Sequence, residues 1–151
     1  MANTQALCTS FKTEILSGIH AFGTTVIRAG TGADTLKAAL YLASATVNAA
    51  TTAYSASGEV SGTNYSAGGV TITNATAPTS SGTTAYWTPS ASFSYTNVTL
   101  ATAFDAVLVY NSTQSNKSVS VHTFGSQTIT AGTFTLTMPT NDSTNALIRI
   151  A

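Results

Sequence analysis

The residues in this chain that could perform chemistry are few and widely separated. His20 and His122 are its two histidines, and a hydrolase triad would need one of them beside a nucleophile and an orienting carboxylate. Serine is abundant, so a serine close to either histidine carries little information, and no G-x-S-x-G nucleophile motif occurs. We interpret both histidines as hydrogen-bonded or exposed residues without a catalytic role, and we predict that the chain is not an enzyme.

The sequence also offers little to a metal ion or a cofactor. Cys8 is the single cysteine and lies twelve residues before His20, which is not the paired spacing of a zinc site. Calcium would need clustered carboxylates, and the five acidic residues are isolated along the chain: Glu14, Asp34, Glu59, Asp105 and Asp142. No phosphate-binding loop or dinucleotide motif occurs. We therefore predict no metal and no cofactor, and we interpret Cys8 as a small buried helix residue.

Composition favours a β-structured protein that works by contact. Threonine and serine make up roughly a third of the chain, and threonine suits a pleated, half-buried surface. Charged residues are only 7% and the net charge is zero, so nucleic acid is not an expected partner. No apolar stretch is long enough for a membrane span, and residues 1–10 lack the features of a signal peptide. The length indicates one domain, residues 1–151.

One helix is predicted, at residues 4–17. Apolar residues recur there at helical spacing; they are Leu7, Phe11 and Ile15. Asn3 is a suitable N-cap, and Gly18 can end the helix in a left-handed conformation. Lys12 and Glu14 are expected to face outward.

From residue 36 to residue 150 the pattern has the period of β-strands. The apolar alternation slips by one between Tyr95 and Val98, which predicts a β-bulge near Thr96–Asn97 within one strand. The next strand is predicted at 104–110 and is apolar on both faces, as a buried central strand would be. Residues 78–82 are interpreted as a turn, and two segments are expected around Ala131–Gly132. The predicted fold is mainly β: an antiparallel β-sandwich, jelly-roll-like or Ig-like, of about eight strands after the N-terminal helix.

A loop is predicted at residues 43–69, which are rich in Ala, Ser, Thr and Gly. Structureless segments of this length are often functional. Tyr54 and Tyr65 lie in the loop, where the sequence gives no core that requires them, so we predict that they contact a partner. Trp87 is interpreted as a core residue. The full predicted interface is Leu7, Phe11, Ile15, Tyr54 and Tyr65.

Several segments together cover nearly the whole chain: Met1-Ala2-Asn3, Phe11-Lys12, Ile15 to Gly18 with His20, Asp34 to Leu40, Gly58-Glu59-Val60, Tyr65 to Val70, Ala103 to Tyr110, Phe134-Thr135-Leu136 and Ile148-Arg149-Ile150. In this order and spacing they resemble small virion proteins of tailed bacteriophages. The Thr/Ser/Ala-rich middle departs from the pattern.

The resemblance implies a structural component of a virion, assembled in the cytoplasm of a bacterial host, with no catalytic residues. A decoration or cement protein of the capsid is the leading expectation, with the major capsid protein or other virion proteins as partners. A homo-oligomer is expected, and a trimer would match three-fold positions on a shell. Two alternatives stay open: a subunit associated with the tail, neck or fibre, and a carbohydrate-binding attachment module that would need exposed, coplanar aromatic rings.

Overall fold

The computed structural model describes residues 3–16, 18–23 and 32–151. It contains one helix, α1 (Thr9–Leu16), and eight strands. The strands are β1 (Ala6–Leu7), β2 (Leu36–Leu42), β3 (Val70–Thr71), β4 (Thr79–Ser81), β5 (Thr84–Trp87), β6 (Phe93–Asn111), β7 (Lys117–Leu136) and β8 (Ile148–Ile150).

The strands form two antiparallel sheets, which confirms the mainly β sandwich predicted from the sequence. The larger sheet has the order β1-β7-β6-β2-β3, and the smaller one has the order β4-β5-β8. One cluster of buried side chains extends from the larger sheet to Trp87 and Ile148 of the smaller sheet. Burial of these apolar groups drives the sheets together.

The centre of the larger sheet is a hairpin of two very long strands, β6 and β7. In the first of them, the run from Phe104 to Asn111 is almost fully buried, since it pairs with β7 on one side and with β2 on the other. The predicted central strand is thus confirmed. The bulge is confirmed as well, because the pairing register shifts between Tyr95 and Val98 and Asn97 has a φ of 51°.

Two predicted divisions are wrong: the one between the bulged strand and the strand at 104–110, and the one at Ala131–Gly132. β6 continues through its bulge, and β7 continues through Ala131, whose φ is 45°. A bulge bends a strand and leaves one residue unpaired, but it does not end the ladder. The slips in alternation therefore marked kinks inside two long strands.

The predicted helix at 4–17 is too long at its start. Ala6 and Leu7 form β1 instead, opposite Val121 and Ser120 of β7. Asn3 does not cap the helix, because its side chain accepts a hydrogen bond from the Val47 amide at 3.0 Å. Leu7 had the right spacing for the helix stripe, but pairing with β7 satisfies the backbone there and overrides local preference.

The end of the helix agrees with the prediction at Gly18, while residue 17 lies outside the described residues. Gly18 has a φ of 66°, and its amide donates to Ile15 O at 2.9 Å. Glu14 does not face outward as expected, since it is 8% exposed. Its carboxylate is drawn inward by His20 and Lys117, each at 2.7 Å. The side chain of Lys12 lies outside the described part.

Residues 78–82 do not form only a turn. Thr79–Ser81 is strand β4, and it pairs with β5 around Gly82, whose φ is 58°. Hydroxyl residues without apolar alternation gave no strand signal, so this short, exposed strand was missed.

Loop 43–69 contains no regular strand, as predicted, and it covers one edge of the larger sheet. The amide of Leu42 donates to Gly58 O at 2.9 Å, and Val60 donates to Leu40 O at 3.0 Å. The hydroxyl of Tyr65 accepts from the Leu40 amide at 3.0 Å. β3 covers the start of the same edge. The loop therefore supplies partners that a further strand would otherwise supply.

The loop requires glycine at position 62, because its backbone passes very close to the backbone of Thr99. A Cβ at this position would lie 2.0 Å from Thr99 O, whereas a Cβ at Gly125 would meet nothing within 4 Å. We predict that Gly62→Ala lowers the free energy of unfolding by about 2 kcal/mol or more, since backbone must move. Gly125→Ala is the control and should change it by less than about 1 kcal/mol. Urea denaturation measures both, and equal effects would contradict the close approach.

Candidate functional site

An apolar groove lies between α1 and the smaller sheet. Its volume is about 210 Å³, and the walls include Phe11, Ile15, Phe22, Trp87 and Ile150. The rings pack edge to face, with centroids 4.7 Å apart for Phe22 and Trp87 and 5.8 Å apart for Phe11 and Phe22. Ile150 is 44% exposed, and among the described residues it is the only large apolar side chain that is exposed to this degree. The groove can therefore receive an apolar group from a partner.

The five predicted interface residues do not form one surface. Phe11 and Ile15 line the groove, although Phe11 is only 1% exposed. Leu7 lines a different, more polar cleft of about 400 Å³ beside β1. Tyr54 and Tyr65 lie in loop 43–69 and point to the sheet. Whether any of them contacts a partner stays a prediction.

The sequence reasoning missed three members of the groove. Phe22 and Ile150 were not singled out, and Trp87 was assigned to the core, where it indeed lies with 2% exposure. Its indole donates to Thr76 O at 2.9 Å. Residues so distant in sequence are brought together by the pairing of β5 with β8 and by the position of residue 22 after α1. In the sequence, the one available sign of the groove was Ile150, an isoleucine at the end of an alternating strand.

Glu59 is the centre of a buried hydrogen-bond cluster under loop 43–69. Its carboxylate accepts from Tyr54 at 2.6 Å, from Tyr65 at 2.8 Å and from the Gly68 amide at 2.7 Å. Glu59 is 9% exposed. Such charge-assisted hydrogen bonds replace the water that burial removes. The cluster fixes the loop to the sheet.

The loop tyrosines are half-buried and pack against the core, so the expectation that no core requires them is wrong. Tyr54 stacks on Tyr110 with centroids 4.7 Å apart, and Tyr65 stacks on Tyr95 at 5.9 Å. Burial, with the nearby Glu59 charge as a further cause, raises the pKa of Tyr110 to about 12. Burial first, and then Glu59, also raises the pKa values of Tyr54 and Tyr65. These hydroxyls therefore stay protonated and act as donors.

A second buried cluster ties α1 to the turn between β6 and β7. His20 contacts Glu14 at 2.7 Å through Nε2, and Asn111 donates to its Nδ1 at 3.0 Å. Asn111 also donates to Asp34 at 2.8 Å. The acceptor role of Nδ1 makes Nε2 the donor to Glu14. His20 is thus hydrogen-bonded, as predicted, and its side chain is fully buried.

Glu14 remains ionised in this cluster. Burial by itself would raise its pKa, but the hydrogen bonds from Lys117 and His20 outweigh burial and lower the pKa. Both carboxylate oxygens are engaged, Oε1 by Lys117 and Oε2 by His20. The group has a structural role and is not presented to a cavity as a free acid or base.

Ser120 and His122 are a nucleophile and a base within reach of each other. Ser120 Oγ lies 2.9 Å from His122 Nε2, and both line the polar cleft beside β1. Ser120 is only 1% exposed, which hinders approach by a substrate. No carboxylate hydrogen bond to His122 is found among the described residues, so the third member of a triad is missing there. Burial lowers the pKa of His122 to about 4.

The remaining potentially reactive group, Cys8, is fully buried just before α1, and not within the helix as expected. Burial raises the pKa of its thiol, so the thiolate is disfavoured. Within residues 3–16, 18–23 and 32–151, no three Cys, His, Asp or Glu side chains converge as metal ligands do. In the same ranges no helix has the length and hydropathy of a membrane span.

Comparison with protein-family models, with curated proteins and with solved structures finds no match to this chain.

The Glu59 cluster predicts unequal effects of two conservative substitutions. Tyr65→Phe removes one donor to Glu59 and also the acceptor of the buried Leu40 amide, so it should cost about 2–4 kcal/mol of unfolding free energy. Tyr54→Phe removes one donor only and should cost about 1 kcal/mol. Urea denaturation followed by tyrosine fluorescence measures both. Equal losses, or a larger loss for Tyr54→Phe, would contradict the cluster.

His122 predicts a dependence of stability on pH. The unfolded chain binds a proton near pH 6.5, while the folded chain excludes it until about pH 4. The contribution of His122 to the free energy of unfolding is therefore complete above pH 6.5 and is lost as the pH falls. The expected loss is about 2 kcal/mol between pH 7 and pH 5. His122→Gln should flatten this part of the curve of unfolding free energy against pH. Thr123→Ser is the control, and an unchanged slope in His122→Gln would disprove the assignment.

Proposed function

We propose that this chain is a non-enzymatic structural protein of a tailed-phage virion, and more specifically a decoration protein of the capsid. It would bind the major capsid protein or a neighbouring virion protein and stabilise the shell across subunit boundaries. Association with intact particles stabilises them by mass action. The resemblance of the ordered sequence segments to small virion proteins suggests the setting.

The proposal is supported by a contrast between the polar side chains inside the protein, which are engaged, and the apolar groove on its surface, which is open. The buried carboxylates of Glu14 and Glu59 and the imidazole of His20 are all engaged in internal hydrogen bonds. The surface, in contrast, leaves an apolar groove open beside α1. Side chains that are committed to structure leave binding as the function that this geometry favours.

The groove is the contact that we propose for the capsid. Phe11 and Ile15 of α1 form one side, and Ile150 of β8 rises from the other side. An aromatic or aliphatic side chain of a capsid subunit would fit a volume of about 210 Å³. Weak single contacts would add up over many copies on a symmetric shell.

The carbohydrate-binding alternative has less support. A sugar needs exposed, coplanar rings, but Trp87 is buried and packs edge to face against Phe22. Tyr54 and Tyr65 use their faces for stacking inside the molecule. A glycan array without binding would remove this alternative.

Location in the virion tests the proposal directly. Virions that carry an epitope-tagged copy would be imaged by electron microscopy with gold-labelled antibody. Label over the head is expected for a decoration protein. Label on the tail or neck would select the alternative virion role, and unlabelled virions from cells that express the protein would contradict both.

The groove is tested by adding purified protein to undecorated particles. Ile150→Lys places a charge at the mouth of the groove and should weaken binding at least about tenfold, or about 1.4 kcal/mol. Thr83→Lys, in the nearby exposed turn, is the matched control and should bind as the unmodified protein does. Cosedimentation and the temperature of particle disruption are the readouts. Equal binding of both variants would exclude the groove as the contact.

A further inference from the structure

The two long edges of the larger sheet differ in how far other parts of the chain cover them. Loop 43–69 and β3 cover the edge formed by β2, as described above. At the other edge, β1 pairs only with Ser120 and Val121 of β7. From Phe124 to Leu136 no strand among the described residues pairs with the outer side of β7. We call this segment, residues 124–136, the open edge.

An open strand edge presents unpaired amide and carbonyl groups, and these specify another β-strand as the partner. Natural proteins usually protect such an edge with lysine, other charges or proline. Here no Lys, Arg, Asp, Glu or Pro occurs between Lys117 and Pro139. Most residues of the open edge are exposed, including Thr128 and Thr130. The open edge therefore has no charge and no proline to prevent edge pairing, and the bulges of β7 near Ala131 and between Thr123 and Gln127 are the protective feature that it does contain.

Apolar side chains beside the open edge are incompletely covered. Phe124 and Phe134 are partly buried, and the centroids of their rings lie 5.2 Å apart. Both rings pack around the fully buried Phe104. Ile129 and Leu136 are also only partly buried. A strand added to the edge would extend the sheet and cover these side chains further, which gains apolar burial in addition to backbone hydrogen bonds.

We propose that the open edge pairs with the open edge of a second copy of this chain, antiparallel and about a two-fold axis. An uncharged edge can meet its own copy without like-charge repulsion, and the net charge of the chain is zero. Two edges of this length would form on the order of ten backbone hydrogen bonds. Threonines on the paired strands would also lie opposite hydroxyl residues, a favourable cross-strand pair.

The test uses the full chain in sedimentation velocity between about 1 and 200 µM. A concentration-dependent dimer is expected. Thr128→Lys/Thr130→Lys places like charges on one face of both edges and should weaken the dimer at least about tenfold. Ser57→Lys/Ser61→Lys, on the exposed part of loop 43–69, is the control and should leave the dimer unchanged. Circular dichroism shows that the variants keep the fold.

Hydrogen exchange identifies the contact. Amides at alternate positions of residues 124–136 should become protected as the dimer forms, because alternate residues of a strand face the same neighbour. A chain that stays monomeric, that forms a trimer, that binds an unrelated strand only, or whose dimer responds to the loop variant and not to the edge variant would overturn the proposal. The open edge and the groove share no residue, so self-association and particle binding can fail separately.

Discussion

The carboxylate of Glu59 and its three donors hold the longest loop of the chain against the central sheet. Glu59 is nearly buried, and two of the donors are tyrosine hydroxyls that burial keeps protonated. Tyr65 also binds the amide of Leu40 on β2, so the same side chain joins the carboxylate, the loop and the strand. If this contact were lost, backbone groups of β2 would lose partners, and an edge of the sheet would open.

This contact explains why the sandwich needs so little regular structure on one side. Gly62 and Gly69 let the loop approach the backbone of Thr99 and Ala38 more closely than any side chain would allow. Stacked tyrosines fill the space that large aliphatic residues fill in other cores. A chain rich in small residues can therefore close an edge with a loop, and it then leaves the opposite edge of the same sheet open.

Local patterns predicted the parts of the fold that depend on nearby residues. Alternation located the buried centre of β6, the slip at Asn97 located the bulge, and Gly18 marked the helix end. The failures involve distant partners. β1 exists because Ala6 and Leu7 meet β7, and the half-buried tyrosines of the loop turn inward to donate to Glu59.

In the candidate site, too, the residues set by local spacing were predicted and those set by distant pairing were not. Phe11 and Ile15 were found from their helical spacing, but Phe22, Trp87 and Ile150 complete the groove only through the pairing of β5 with β8. No periodicity relates residues so far apart. The open edge, by contrast, is visible in the sequence as a long stretch without charge or proline, although only the fold reveals that the stretch lies at an edge.

The groove and the open edge have no residue in common, which matters for how the protein would act in an assembly. If the open edge joins two copies as proposed, no residue of either groove takes part in that contact, so a pair of copies could hold two sites on a lattice at once. The second contact then forms at the high local concentration set by the first, and dissociation requires both to break. A domain with 7% charged residues has little long-range electrostatic attraction to a partner. Pairing through the edge would compensate, because it multiplies short-range apolar contacts that are individually weak.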